Sequence, residues 1–149
     1  MSDRPPASSA TVRSRMSRQR RRDTHPELRV RQILHSRGLR YRVDVAPEPT
    51  LRCKADIVWR ALHLAIFIDG CFWHGCPDHG TRPKANEAWW GRKLDGNIER
   101  DRRTDAELTA RGWTVLRFWE HEPPSDVADT ICAKLAHLRS ELGRQKSVE

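Results

Sequence analysis

Ala55-Asp56-Ile57-Val58-Trp59-Arg60-Ala61-Leu62-His63-Leu64-Ala65-Ile66-Phe67-Ile68-Asp69 decides the fold. Residues 55–59 and 62–68 are short apolar runs of strand length, and Arg60-Ala61 breaks them, so they read as the two arms of a β-hairpin. Asp56 then opens one strand and Asp69 closes its neighbour. Antiparallel pairing lays those two ends side by side. Two carboxylates at one edge of a sheet outline a divalent-cation site, although each aspartate taken singly is also an ordinary strand-end or turn residue.

Beyond Asp69 comes Gly70-Cys71-Phe72-Trp73-His74-Gly75-Cys76-Pro77-Asp78-His79, the start of a loop that runs to Ala85. A loop this long in a compact domain is functional or braced by a metal. Cys71-x4-Cys76-x2-His79 offers three zinc ligands, and His121, after a later strand, could complete a tetrahedron. Such a site would pin a loop that has too little apolar content to hold its own shape. Cys53, His74 and Asp78 are rival ligands, and two buried free thiols with surface histidines are the alternative. Placed between the thiols, His74 can also face the two aspartates and move a proton near neutral pH. Phe72-Trp73 beside a basic surface suits stacking on bases or wedging between them.

Further along, Asn86 is placed to cap a helix ending near Arg111, with Trp90, Leu94, Ile98 and Leu108 inward and Gly112 past its end. Asn97 and Asp101 share that face, while Lys93, Arg100, Arg102 and Arg103 crowd its flanks. These charges form a solvated face or a set of phosphate contacts. Trp113 to Trp119 alternates as another strand. Ser125 then caps a last helix carrying Val127, Ile131, Leu135, Leu138 and Leu142 at helical spacing, with Cys132 in the core and a frayed polar tail over 143–149.

In the other direction, Leu39, Tyr41, Val43 and Val45 alternate as a half-buried strand. A helix starting at Asp23 or Thr24 precedes it and stops at Gly38, with Thr24-x-x-Glu27 fitting a capping box. Glu27 is thus either a cap or a member of the site. Residues 1–22 hold seven arginines against a single acid, Asp3, and read as a disordered basic arm that is a solvated tail or lies along a phosphate backbone. The folded domain therefore spans 23–142. Its order of helix, three strands, helix, strand, helix describes a mixed sheet flanked by helices, an α/β or α+β fold.

The composition narrows the partners. A chain of 149 residues with 32% charged side chains and a net charge of +8 suits one nucleic-acid-binding domain better than a membrane-surface one. There is no apolar run of membrane-spanning length and no secretory pattern. A reducing, cytoplasmic setting follows, in which four cysteines are metal ligands or core residues rather than disulfides.

Asp69-Gly-Cys-Phe-Trp-His74, Asn97-x-x-Arg-Asp101, Gly112-Trp113-x-Val115-Leu116 and Trp119-Glu120-His121, in this order, resemble the very short patch repair endonucleases, the T:G mismatch nickases of bacterial DNA repair. The resemblance covers about Asp23 to Leu142 and takes in Glu27 and Ala55-Asp56-Ile57-Val58. It implies a restriction-endonuclease-like fold with a structural zinc, and Mg²⁺-dependent nicking 5′ to the mismatched thymine of double-stranded DNA. Acting as a monomer at the nucleoid and away from membranes, such an enzyme would use Asp56 as the essential metal-binding carboxylate, His74 as general base and Glu27 in support. The resemblance also implies Phe72, Trp73 and Trp90 as duplex wedges and Cys71, Cys76, His79 and His121 as the zinc set. The family's best-known member has a thiol after the Trp-Glu pair, where this chain has His121. That member also has Thr-His before the glycine, where this chain has Ile68-Asp69.

Together these readings give an expected mechanism. Asp56, Asp69 and a backbone carbonyl hold one or two Mg²⁺, His74 activates the water, and Arg100 or Lys93 with Asn97 steadies the phosphate. Two alternatives stand beside it: a restriction-type or general nicking enzyme with another DNA target, and a non-cleaving module that binds mismatched or branched DNA.

Overall fold

The computed structural model describes residues 25–70 and 86–148. Its elements are α1 (His25–Ser36), β1 (Arg42–Val45), β2 (Ala55–Trp59), a 3₁₀ turn (Arg60–Leu62), β3 (Leu64–Asp69), α2 (Glu87–Ala110), β4 (Thr114–Trp119) and α3 (Pro124–Val148). The strands form one sheet in the order β1-β2-β3-β4. β1, β2 and β3 pair antiparallel, whereas β3 and β4 run parallel, with α2 as the long crossover that a parallel pair requires. The expected mixed sheet with helices packed on it is what forms.

Period-two alternation sorts the strand residues onto two faces. Ile57, Trp59, Leu64, Ile66 and Phe118 turn to α1 and α3, where they bury with Val30, Leu34, Val127, Ile131 and Leu135. Val58, Ala65 and Phe67 turn to the opposite face and pack with Leu108 and Trp113. At the ends of the strands this second face carries charge in place of carbon.

Several local expectations are corrected. β1 is shorter than the alternating run suggests and begins only at Arg42; within it Asp44 takes a left-handed backbone (φ +50°). The hairpin turn is wider than Arg60-Ala61: the chain makes a 3₁₀ turn through Leu62, and His63 (φ +49°) returns it, so β3 begins only at Leu64. Asn86 gives α2 no side-chain cap; it sits in the left-handed region, and its carbonyl accepts from the Trp90 amide at 3.0 Å. Rather than fraying after Gly143, α3 continues to Val148. Two glycines do what the sequence asks of them. Gly38 (φ +80°) ends α1, with the Leu39 amide reaching the Leu34 carbonyl at 3.2 Å, and Gly112 (φ +85°) ends α2, with the Trp113 amide on the Leu108 carbonyl at 2.9 Å.

Candidate active site

Parallel pairing sets Asp69 opposite Trp119 and Phe67 opposite Arg117, and the hairpin register brings Asp56 to the same end of the sheet. These positions border a cavity of about 430 Å³ between the strand ends, the loop before β2 and α2, lined among others by Asp56, Asp69, Arg100, Asp101 and Arg117. The two aspartates that the sequence pairs are therefore neighbours at one opening.

Their surroundings differ. Asp56 is partly buried, and its Oδ2 accepts the Ile68 amide at 2.7 Å across the hairpin. Burial raises its carboxyl to about 7, and the nearby charges of Glu27, Asp69 and Asp44 push the same way against that hydrogen bond. Asp69 is also buried, but it faces a cation: Arg117 Nη1 donates to both of its oxygens at 3.1 Å. One carboxyl is thus crowded by acids, and the other is held by a guanidinium.

Glu27, read as either cap or site member, is 2% exposed and close enough to Asp56 to raise its pKa. This burial is unlike that of an exposed cap; Thr24, its partner in the expected capping box, lies outside the described residues. Opposite Asp56 on β1 stands Asp44, between the Val43↔Ile57 and Val45↔Ala55 pairs. Nothing in the sequence singled it out, because its place depends on strand register.

Arg117 is the other group that sequence reasoning missed. Its Nε donates to both Asp105 oxygens at 2.8 and 2.9 Å, its Nη1 lies 3.8 Å from Asp101, and its Cζ sits 4.2 Å from the centre of the Phe67 ring. Buried charge of this kind needs pairing, and three carboxylates with a ring face supply it. A lone arginine in the alternating run 113–119, on the same side as Asp69, was the signal available.

The remaining expected site residues fall into three groups. Arg100 is exposed and lines the cavity; Lys93 is exposed and Asn97 half-buried elsewhere on α2. Trp90, implied as a duplex wedge, is 5% exposed, edge-on to Trp89 at 4.8 Å between ring centres. In this conformation its ring belongs to the protein interior, as its inward position on the helix suggested, and is not presented to a duplex. Phe72, Trp73, His74 and the proposed zinc ligands Cys71, Cys76 and His79 lie outside the described residues. Their partner His121 is exposed just past β4. There the Glu120 amide bonds the Asp69 carbonyl at 2.9 Å, so β3 and β4 end side by side.

Among the described residues no three His, Cys, Asp or Glu side chains converge to hold a metal by themselves. A single carboxylate with main-chain or water ligands is nevertheless a normal magnesium donor set. Excess acid around Asp56 favours a cation there.

The model of the family described as DNA mismatch endonuclease Vsr matches residues 7–79. The chain is 46% identical over 136 residues to the type II nicking enzyme V.NaeI of Lentzea aerocolonigenes, covering 89% of this chain and 82% of that one. It is 40% identical over 111 residues to the type II nicking enzyme V.XorIIP of Xanthomonas oryzae pv. oryzae, covering 72% and 77%. With the DNA mismatch endonuclease Vsr of Escherichia coli it shares 37% identity over 100 residues, covering 66% and 62%.

Proposed function

The chain belongs to the DNA mismatch endonuclease Vsr family and is a DNA nicking endonuclease, and from that premise we propose that it cuts one strand of double-stranded DNA 5′ to the thymine of a T:G mismatch, with Mg²⁺. The observation that carries this reading is Asp56: a partly buried carboxyl, crowded by acids, opening onto a cavity that also has cationic walls. A divalent cation held by Asp56 with the Ile68 carbonyl or water would neutralise phosphoryl charge and make an attacking water more acidic.

The chain's own groups divide the remaining work. Asp56 keeps one oxygen on the Ile68 amide, which fixes its orientation and leaves the other for the cation. Glu27 and Asp69 add negative charge beside it, Asp69 with its own balance in Arg117. Arg100, and at longer range Lys93 and Asn97, steady the backbone phosphates. His74 takes the proton of the attacking water. Phe72 and Trp73 wedge at the mismatch, where unstacking costs less than at a matched pair. Trp90 joins them only if α2 opens. A zinc ion on Cys71, Cys76, His79 and His121 would hold the wedge-bearing loop to the end of β4, a donor set that suits tetrahedral zinc.

A second reading keeps the chemistry and changes the target. The 46% identical relative is named a type II nicking enzyme, which favours a nick tied to a restriction-type sequence. Incubating the protein with Mg²⁺ and a panel of duplexes, each of the mismatches and their matched controls in several contexts, separates the two. Nicks confined to T:G duplexes, 5′ to the thymine, by a preparation holding about one zinc per chain are the expected result. Equal nicking of matched duplexes overturns the mismatch reading, and zinc-free active protein overturns the zinc site.

A further inference from the structure

Arg117 sits where three elements meet. Asp105 on α2 takes its Nε, Asp69 at the end of β3 takes its Nη1, and Phe67 lies under its plane. These bonds use Nε and Nη1; the two Nη2 hydrogens take no part in them. The side chain is only 20% exposed, yet it lines the same cavity as Asp56.

Burying a guanidinium costs desolvation, and an apolar side chain over Phe67 would join α2 to the sheet at less expense. Retaining the charge makes sense where a ligand of opposite sign arrives. Arg52, Lys54, Arg100 and Arg103, which also line the cavity, are exposed on flexible stems. Arg117 differs because two carboxylates and a ring fix its plane before any ligand binds. A planar fork held in this way loses little freedom on gripping a phosphate, and it keeps its charge at every working pH.

We propose that Arg117 is a phosphate-binding catalytic residue: Nη2 donates to a non-bridging oxygen of the scissile phosphodiester and stabilises the charge that builds there, while Asp69 and Asp105 act as positioning residues for it. The inference rests on the reading that the reaction runs in the Asp56 cavity. It also gives Asp69 a defined task, the orientation of a cation.

The test uses the full chain, single-turnover nicking with Mg²⁺, and duplexes bearing either phosphorothioate diastereomer at the cut phosphate. Arg117→Lys and Arg117→Ala are expected to slow nicking by about 10²–10³-fold, with metal-free DNA affinity little changed. Sulfur at the contacted oxygen should slow the wild-type enzyme and have no added effect in these variants. Asp105→Asn, which keeps the guanidinium and loosens its seat, should show a smaller rate loss and a weakened diastereomer preference. Because it preserves the buried arginine, it also carries the test if Arg117→Ala fails to fold. A wild-type rate in Arg117→Lys, or unchanged sulfur effects in either folded variant, overturns the proposal. Asp56→Asn separates the two levels. If it nicks normally, the cavity is not where the reaction runs; if it is inactive while Arg117→Lys is wild-type, only the role of Arg117 falls.

Discussion

The two faces of the sheet are built from the same strands to opposite ends. Towards α1 and α3, Ile57, Leu64 and Ile66 are fully buried against Leu34 and Ile131, and the layer is apolar apart from the Trp59 indole nitrogen and, at the start of α1, Glu27. Towards α2 the apolar patch stops at Phe67, and the strand ends carry Asp56, Asp69 and Arg117 into a cavity. One face stabilises the fold, and the other holds groups that cost stability. Alternation in a strand lets both be encoded within five or six residues, because neighbours in sequence never share a face.

The sharpest way to break this contrast is Asp56→Asn. Nicking should fall by at least about 10³-fold, since the cation would lose its charged ligand, while the metal-free protein becomes more stable at neutral pH. The sign follows from the carboxyl, raised from 3.8 to about 7 on folding. Between those values the folded protein holds a proton that the unfolded chain has released, so stability is fullest below the unfolded pKa. It declines as pH rises and levels off above the folded pKa. Asparagine still accepts the Ile68 amide but carries no charge to bury. Melts in EDTA should therefore show the variant ahead at pH 8 by on the order of a few kcal/mol and nearly level with wild type at pH 4. A variant less stable than wild type at pH 8 would show that Asp56 is not destabilising, and the contrast between the faces would fail.

Ile131→Ala tests the other face. It removes a fully buried side chain from α3, and the cavity it leaves should cost about 2–5 kcal/mol by denaturant titration. At a temperature where the variant remains folded, its nicking rate should match wild type, because Ile131 packs on the side away from Asp56. A tenfold rate loss in folded protein would show that the two faces are coupled through the sheet.

This division explains what was legible in the sequence. Apolar period is a local signal, so the hairpin, the helices, the glycine stops of α1 and α2 and the closed core could be read directly from Ile57, Leu64, Ile131 and their neighbours, although the end of α3 could not. That Asp56 and Asp69 end at one edge also followed from the hairpin, although its register did not, because the turn is wider than Arg60-Ala61. Asp44 and Arg117 did not follow. Asp44 faces Asp56 only through the β1–β2 register, and Arg117 meets Asp69, Asp101 and Asp105 only once β4 lies parallel to β3 with α2 above both. Glu27 was ambiguous for the same reason: burial, not spacing, separates a cap from a site residue.

The smallest expected effect lies where the faces differ least, in the fastening of the loop before β2. Trp113 Nε1 donates to Glu48 Oε1 at 2.7 Å, and Trp113 stacks on His63, with 4.9 Å between ring centres. This ties the loop to the start of β4, and the same loop brings Arg52 and Lys54 to the cavity. Glu48→Ala removes the acceptor and leaves the N–H of a buried ring without it, a loss of about 1–3 kcal/mol. The fold should survive, since Trp113 keeps its apolar packing against Leu108 and Phe67. The consequence for activity is indirect: a looser loop presents its two cations less consistently to DNA, so the concentration of duplex needed for half-maximal nicking should rise a few-fold at an unchanged saturated rate. If the saturated rate drops instead, the loop does more than bind, and the open face would have to include it among the parts that act on the phosphate.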